Sequence, residues 1–575
     1  MDQQITQWLH EDESEDEEAC EVAVPDLEND VEEDGTIEDF RAEILDDNTE
    51  DSSSDDEIPL WTGEKPTRSK IPRRNILFHP PGPKAAAREI TTEQEAWSII
   101  FTDEILEEIV RNTNAEIGRQ REKYKRDRPM QNMEDENADA SSFTKIRPSF
   151  AQDVSVLEIK ALFGLYYLAG VLNVNYVTTK ELFDKNSGVG YFRATMSQAR
   201  FEFLTNCLRF DDRSTREKRQ QNDRLAPIRN IFDHIVKVSN EVYSPSDCCT
   251  LYEMLLGFRG RCIFKMYIPS KPDKYGIKIL MTCDSKAAYM IDAFVYLGKG
   301  SCPTSVPAAH FFTMKLTEKI HVTNRNLTCD NWFTSIPVAK ELLQKQVTLV
   351  GTLRRNKRDI PPYFVEIKDR DRNTAKFAFS EELTLLSYCP PNSKKKKKVT
   401  MSLTMHPTAD PDATIQLSEM IEYYNKTKGG VDLMDQLCHK YSVFRRSKRW
   451  PMEVFYGLLN IVGVNSYVLL KMATKRATKR RHFLKKLALD LITPQMEERF
   501  TWPSLPMNLQ VLFGGILQKK RPLQEPSSAP TAKKRCAMCP RGKDRKTKVT
   551  CGMCRKPLCG EHTEAMCQEC VTKNN

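Results

Sequence analysis

The spacing of apolar and polar positions changes character several times along this chain. Residues 1–92 hold acidic runs, three serines from Ser52 to Ser54 followed by acidic residues, and a proline-rich turn around Pro80. Too few apolar side chains occur there to offset the entropy of ordering, which predicts a disordered acidic tail. Over residues 93–248 the apolar positions recur every three to four residues, in EAWSIIFTDEILEEIV, SVLEIKALFGLYYLAGVL and SQARFEFLTNCLRF, and predict helices. The polar stretch from Arg119 to Phe150 reads as a loop.

From residue 249 to 356 the texture becomes short β-branched runs, GIKILMTCD, YMIDAFVYL, NLTCD and VTLVGTL, bounded by Gly, Pro, Lys or Asn. These predict strands of a buried mixed sheet, with SIPVAKELLQKQ as a helix after the third of them. Residues 357–417 read as an irregular inserted subdomain, residues 418–440 and 441–517 return to helical spacing, and 518–535 form a basic Pro-Ser linker. A cysteine-rich segment, 536–570, follows.

At 575 residues the chain exceeds one hydrophobic core, so several domains are expected. The sequence holds no run of about 18 uninterrupted apolar residues and no basic-then-apolar leader, so no membrane association is expected. The net charge of +6 hides an asymmetry: residues 1–60 carry 25 acidic residues against Arg41, which leaves roughly +30 on the rest. A body so basic predicts a polyanionic partner, above all nucleic acid. Of 17 cysteines, seven fall between Cys536 and Cys570, a metal-module pattern in a reducing compartment rather than a disulfide framework.

Two short contexts carry candidate metal chemistry. Asp330 ends a strand in NLTCDNWFTS, which exposes its carboxylate at a sheet edge, although an aspartate there more often serves a turn. Asp432 and Asp435, in TKGGVDLMDQ, are three apart on one helical face, behind Gly429 and Gly430, which permit close backbone approach. Carboxylates converging from distant parts of a chain hold paired Mg2+ ions for attack on a phosphodiester. With the sheet and the basic body, they predict a nuclease-type fold with ligands on the first strand, the fourth strand and a later helix.

The terminal array has four ligand pairs: Cys536 and Cys539, Cys551 and Cys554, Cys559 and His562, Cys567 and Cys570. Eight ligands suffice for two tetrahedral zinc ions, with the first and third pairs on one ion and the second and fourth on the other in a cross-brace. Ubiquitin-ligase and histone-reading modules share that arrangement. Arg445, Arg446, Lys448 and Arg449, and the run containing Lys475, Arg476, Lys479, Arg480 and Arg481, are candidate tracks for a DNA backbone. Lys519 to Arg521 and Lys533 to Arg535 resemble a two-part nuclear import signal, which predicts an import receptor and a nuclear location; Lys394 to Lys398 are a lesser candidate.

The words LLGFRGRC, YIPSKPDKYGIKI, MTCDSKAAYMIDAFVYLGKG, NLTCDNWFTSIPVAKELL, VGTLRRNKRDIP, EYYNKTKGGVDLMDQ and RWPMEVFYGLLNI, with the cysteine array, resemble the piggyBac family of DNA transposases over roughly residues 95–570. The resemblance implies an α/β RNase H-like catalytic core with an inserted subdomain. Helical dimerisation and DNA-binding domains would flank it, with a cross-brace zinc module at the C-terminus. It implies a homodimer that cuts transposon ends and inserts at TTAA, using two Mg2+ ions held in part by Asp330 and Asp432. Asp330 matches the second catalytic aspartate, Asp432 the third and Asp435 a further required acid. The first falls on Tyr252, beside Glu253. A neighbour on a strand points to the opposite face, so Glu253 is not expected to substitute, and Asp247 and Asp284 are remote rescue candidates. The expectation is a transposase, or a transposase-derived protein, with impaired catalysis; the alternative is a domesticated DNA- or chromatin-binding protein without nuclease activity. The resemblance also assigns the zinc module to transposon-end DNA, with Arg541, Lys543, Arg545 and Lys546 near phosphates.

Overall fold

A computed structural model describes residues 79–126, 149–354, 374–389, 399–404, 413–519 and 533–562, with short gaps inside these ranges and a few positions outside them. The chain divides into two compact units, residues 1–178 with 202–492, and residues 179–201 with 493–575. The acidic run at the start lies outside the described residues, but the end of the stretch read as disordered takes part in the fold. Thr62 exchanges two backbone hydrogen bonds of 2.9 Å with Phe379, and Gly82–Pro83 pairs with Tyr243–Ser244.

Helices α1 (Asp103–Arg126), α2 (Val156–Val171) and α3 (Arg229–Glu241) open the larger unit. α1 runs seven residues past Arg119, into the stretch read as a loop, because Glu116 ties its last turns together. That buried carboxylate accepts from Arg119 (2.8 Å), Gln120 (3.0 Å) and Arg209 (3.0 Å), so polar residues there face one another rather than water alone.

The sheet follows: β1 (Cys248–Gly257), β2 (Tyr275–Asp284), β3 (Met290–Val295), β4 (Asn326–Cys329) and β5 (Thr348–Leu353). Its order is β3-β2-β1-β4-β5, with β1 antiparallel to β2 and parallel to β4, and β4 parallel to β5. This is the strand order of an RNase H-like core. β2 is buried along nearly its whole length, as a central strand covered on both faces must be, which is why GIKILM reads as an apolar run and not as an alternation.

Helices α4 (Ala308–Thr317) and α5 (Ile336–Gln344) punctuate the strands. Beyond β5 come β6 (Thr374–Phe379), β7 (Thr384–Cys389) and β8 (Val399–Leu403). β8 pairs antiparallel with β5, β7 with β8 and β6 with β7. The segment expected as an irregular insertion therefore extends the core sheet and covers the edge that β5 would otherwise expose.

Helices α6 (Ala413–Thr427), α7 (Gly430–Lys440) and α8 (Trp450–Thr474) return to the sheet, and α9 (Arg480–Phe500) follows. Thr427 anchors the α6–α7 junction: its carbonyl accepts from Thr250 Oγ1 (2.6 Å) on β1, and its hydroxyl lies 2.8 Å from Thr328 Oγ1 on β4. α8 is, among the described residues, the one helix long and apolar enough to cross a membrane, and it is instead buried. Phe455 packs with Phe101, Phe163 and Phe210, and Tyr167 OH donates to Leu459 O at 2.7 Å.

In the smaller unit Phe183, Phe192 and Phe201 pack together, and Phe500 stacks on Phe513 of α10 (Met507–Leu517). Arg499 donates to Arg193 O (2.9 Å) and Ala194 O (2.6 Å), capping the short helix Gly190–Thr195. The division between units falls inside α9, within the stretch 441–517 that the sequence suggested as one domain.

Candidate metal and DNA-binding sites

Asp330 follows the last residue of β4. Its Oδ1 accepts the backbone N–H of Trp332 (2.9 Å) and of Phe333 (3.4 Å), and Thr334 Oγ1 donates to its carbonyl at 2.6 Å. The side chain thus closes a turn with one oxygen, the bland role the sequence allowed, while the second oxygen stays out of that turn. Burial and the charge of Glu253 raise its proton affinity against the pull of the Trp332 N–H and Lys278.

Asp432 sits in the first turn of α7, with Oδ1 4.0 Å from Lys271 Nζ. Partial burial raises its carboxyl, Lys271 opposes the shift, and repulsion from Asp435 adds to it. Asp435 lies one turn on, its Oδ1 3.2 Å from His439 Nδ1, and that ring nitrogen also donates to the Asp435 carbonyl at 2.9 Å. The bond to Asp435 pushes His439 up to about 9, so the imidazole is charged at neutral pH.

Tyr252 lies mid-strand on β1, opposite Met281. Alternation places it on the face of Thr250, against which Gly430 of α7 packs. Lys271 Nζ lies 5.0 Å from its ring centroid and donates to Glu253 O at 3.1 Å. Burial, and then the charges of Asp330, Glu253 and Asp432, hold the phenol well above its ordinary range, so it is neutral at every physiological pH. Tyr252, Asp330 and Asp432 therefore share one electrostatic neighbourhood, on the first strand, the fourth strand and a later helix.

Glu253 and the two rescue candidates are engaged elsewhere. Glu253 forms an ion pair with Lys278. Asp284 is buried and accepts from Tyr243 OH (2.8 Å), Ser246 N (2.7 Å) and Ser246 Oγ (2.7 Å), which makes it a structural carboxylate. Asp247 pairs with Lys286 at 2.7 Å before β1 begins, about 16 Å along the strand from Tyr252.

Asp330 and Asp432 each carry a raised carboxyl and each bears on the Tyr252 phenol, a local negative charge only partly offset by Lys278 and Lys271 that a divalent cation would relieve further. Tyr252 contributes a neutral phenol where a third carboxylate would complete the set. Among the described residues, the acids around Tyr252 do not form a group of three with all ligand atoms within 4.8 Å; Cys536, Cys539, Cys559 and His562 do. The residues fit partial occupancy by a divalent ion and do not fit a full pair.

The terminal cluster has zinc dimensions. Cys539 Sγ and Cys559 Sγ are 3.7 Å apart, and His562 Nδ1 lies 3.2 Å from Cys559 Sγ, 3.6 Å from Cys536 Sγ and 3.7 Å from Cys539 Sγ. A tetrahedron with Zn–S near 2.3 Å and Zn–N near 2.0 Å has edges of roughly 3.5–3.8 Å. The first and third ligand pairs come together, as the cross-brace requires; Cys551, Cys554, Cys567 and Cys570 lie outside the described residues.

The candidate DNA residues separate into two groups. Arg446, Lys448, Lys475, Arg476, Lys479, Arg481 and Lys543 are exposed, and Arg541 lies outside the described residues. Arg445, Arg449 and Arg480 instead tie chain segments together. Arg445 donates to Asn175 O (3.3 Å) and Val177 O (3.2 Å), Arg449 to Asn206 O (3.0 Å) and Leu208 O (2.6 Å), and Arg480 to Leu437 O (2.7 Å). Charge along a sequence does not reveal such partners, which lie 241 to 270 residues away for Arg445 and Arg449 and 43 residues away for Arg480, and in this structure the three act as fold-holding donors.

Sequence reasoning assigned no role to Lys271 or Lys278, which both act at this site. A lysine inside the apolar run GIKILM was the available signal, since a charge is buried only where something pairs it.

The sequence profile described as Transposase IS4 matches residues 92–467. The human "PiggyBac transposable element-derived protein 3" is 25% identical over 338 residues, 55% of this chain and 55% of that protein. The human "Chimeric ERCC6-PGBD3 protein" is 25% identical over 338 residues, 55% of this chain and 31% of its own length. The chain thus spans about half or less of the curated relatives it matches. A cryo-EM structure of a piggyBac transposase synaptic complex with hairpin DNA superimposes with a TM-score of 0.70 at 37% identity, covering 85% of this chain and 100% of that one.

Proposed function

This chain belongs to the piggyBac family of transposases and transposase-derived proteins, and on that premise we propose that it binds transposon-end duplex DNA as a homodimer with its cut-and-paste chemistry impaired by Tyr252. The observation that carries the reading is the neutral phenol of Tyr252, set on β1 among the charges of Asp330, Glu253 and Asp432. In the complete centre, two divalent ions supply an activated attacking oxygen and stabilise the leaving one. Here Asp330 and Asp432 would hold such an ion, with Asp330 anchored by its turn and Asp432 presented by the start of α7. Asp435, paired with His439, would orient α7 rather than ligate.

The exposed residues Arg446, Lys448, Lys475, Arg476, Lys479, Arg481 and Lys543 would contact phosphates, and the terminal cysteine module, loaded with two zinc ions, would read transposon ends. Lys519 to Arg521 and Lys533 to Arg535 would carry the protein into the nucleus. The second reading, a domesticated DNA-binding protein without nuclease activity, is favoured by the same phenol and by Lys271 beside it.

The test is excision of a reporter bearing matched ends and TTAA flanks. We expect the natural chain to be inert, Tyr252→Asp to restore cutting, and Tyr252→Asp with Asp330→Ala to lose it again. Cutting by the natural chain that depends on Asp330 overturns the assignment of Tyr252. DNA binding with no cutting by any variant favours the second reading.

A further inference from the structure

Glu253 sits beside the position where the first acid is expected, and its own task is visible on the other face of the sheet. Register pairs Glu253 with Leu280 and Leu255 with Lys278, so Glu253 and Lys278 are diagonal neighbours on one face of the β1–β2 ladder. Lys278 is 1% exposed, and its ammonium forms an ion pair with Glu253. The same Nζ lies 4.9 Å from the ring centroid of Trp332 and 5.8 Å from that of Tyr296. A buried ammonium is tolerated only where charge and ring faces replace water, and here all three surround it.

Trp332 links this pair to the metal side of the site. Its backbone N–H is the shorter of the two donors to Asp330 Oδ1, at 2.9 Å. The indole that rests over Lys278 is thus in the same residue as the amide that aims the Asp330 carboxylate. We propose that Glu253 and Lys278 are positioning residues for Asp330, acting through Trp332: Glu253 holds the ammonium, the ammonium holds the indole, and the indole fixes the turn. The inference rests on the reading of Asp330 as a metal ligand, and it gives Glu253 a role that Tyr252 does not remove. It also implies that Glu253 would not stand in for the missing acid, since its carboxylate is committed to Lys278.

The experiment uses the full chain in two backgrounds, natural and Tyr252→Asp, with Glu253→Gln, Lys278→Met, Lys278→Arg and the paired change Glu253→Leu with Lys278→Met. The first readout is the fluorescence of Trp332, isolated from the chain's 6 tryptophans by difference against Trp332→Phe. The second is Mn2+ affinity by electron paramagnetic resonance, with Asp330→Ala as the control. We expect Lys278→Met and Glu253→Gln to increase quenching of Trp332 by acrylamide in both backgrounds. In the Tyr252→Asp background we expect Mn2+ to bind at least about tenfold more weakly, with Lys278→Arg recovering part of the loss. If Lys278→Met does not fold, the apolar pair and Glu253→Gln supply the same comparison. Unchanged Trp332 quenching and unchanged Mn2+ affinity in folded variants overturn the proposal. If Tyr252→Asp binds no Mn2+ through Asp330, the reading of the metal site fails, while the Trp332 signal still reports on the pair. Altered quenching with unaltered Mn2+ affinity reduces the pair to a structural role and overturns the positioning claim.

Discussion

Single residues here are decided by which of two opposed effects is larger, and Glu453 is the clearest case. It lies in the first turn of α8, where the helix dipole favours a carboxylate, yet it is 1% exposed and its Oε1 has no hydrogen-bond partner among the described residues. Burial, reinforced by the charge of Asp273, pushes its carboxyl from 4.5 up to about 9, so burial outweighs the dipole. The folded pKa is raised above the unfolded one. The corresponding stability is fully present below pH 4.5 and is lost as pH rises through about 9. Relative to acid conditions, the cost at neutral pH is about 3 kcal/mol. Glu453→Gln keeps the shape and removes the titration. Thermal denaturation followed from about pH 5 to pH 9 should therefore show the variant gaining melting temperature steadily over the natural chain as pH rises. A variant that melts lower across the whole range would show that the carboxylate is paired in solution. Tyr252 obeys the same logic with a different outcome, since a phenol kept neutral loses nothing in stability and contributes nothing to a cation.

At the scale of elements, the packing of α7 on β1 through Gly430 sets where Asp432 is presented. The sequence pointed to Gly429 and Gly430 together as a site of close approach, and the structure separates them. A Cβ on Gly430 would meet Thr250 Oγ1 at 2.7 Å and Ser285 Cα at 3.0 Å, whereas one on Gly429 would meet nothing within 4 Å. Thr250 cannot yield freely, because its hydroxyl donates to Thr427 O. Gly430→Ala should lift the start of α7 off β1 and shift Asp432, while Gly429→Ala should be tolerated. In the Tyr252→Asp background, the expected loss of excision for Gly430→Ala is about 100-fold, from a displacement on the order of 1 Å. Circular dichroism should show both variants folded; equal activity in the two would mean that α7 has slack the packing does not reveal. The strands β6 to β8 went unrecognised in part because CPPNSKKKKKVT, which joins β7 to β8, carries a lysine run that reads as linker. In VTMSL the alternation was there to be read.

Across the whole molecule, what the sequence made legible was whatever depends on local pattern or on distinctive words. The central strands follow from β-branched runs, the strand end at Asp330 and the helix start at Asp432 from their contexts, and the clustering of Cys536, Cys539, Cys559 and His562 from spacing. What stayed hidden were partnerships over long separations: Arg449 with Leu208 O, Lys278 with Trp332, Thr62 with Phe379. A residue's charge or size is written in the sequence, but the group that neutralises it is fixed only by the fold. The terminal module is the opposite extreme, where local spacing carries nearly everything because there is little else. Among its described residues, 533–562, Leu558 is the one buried side chain other than cysteine, and its strands Lys534–Arg535 and Lys546–Thr547 are two residues each. So small a core cannot offset the ordering of the segment, and the metal must supply the stability. Stripping zinc with a strong chelator should expose 533–562 to limited proteolysis and abolish transposon-end binding. The melting of the larger unit, which draws its stability from β1 to β8 and α8, should not move. Metal analysis before and after should find two zinc ions per chain lost. A module that stays protease-resistant without metal would show that contacts beyond the described residues, rather than Cys536, Cys539, Cys559 and His562, hold it together.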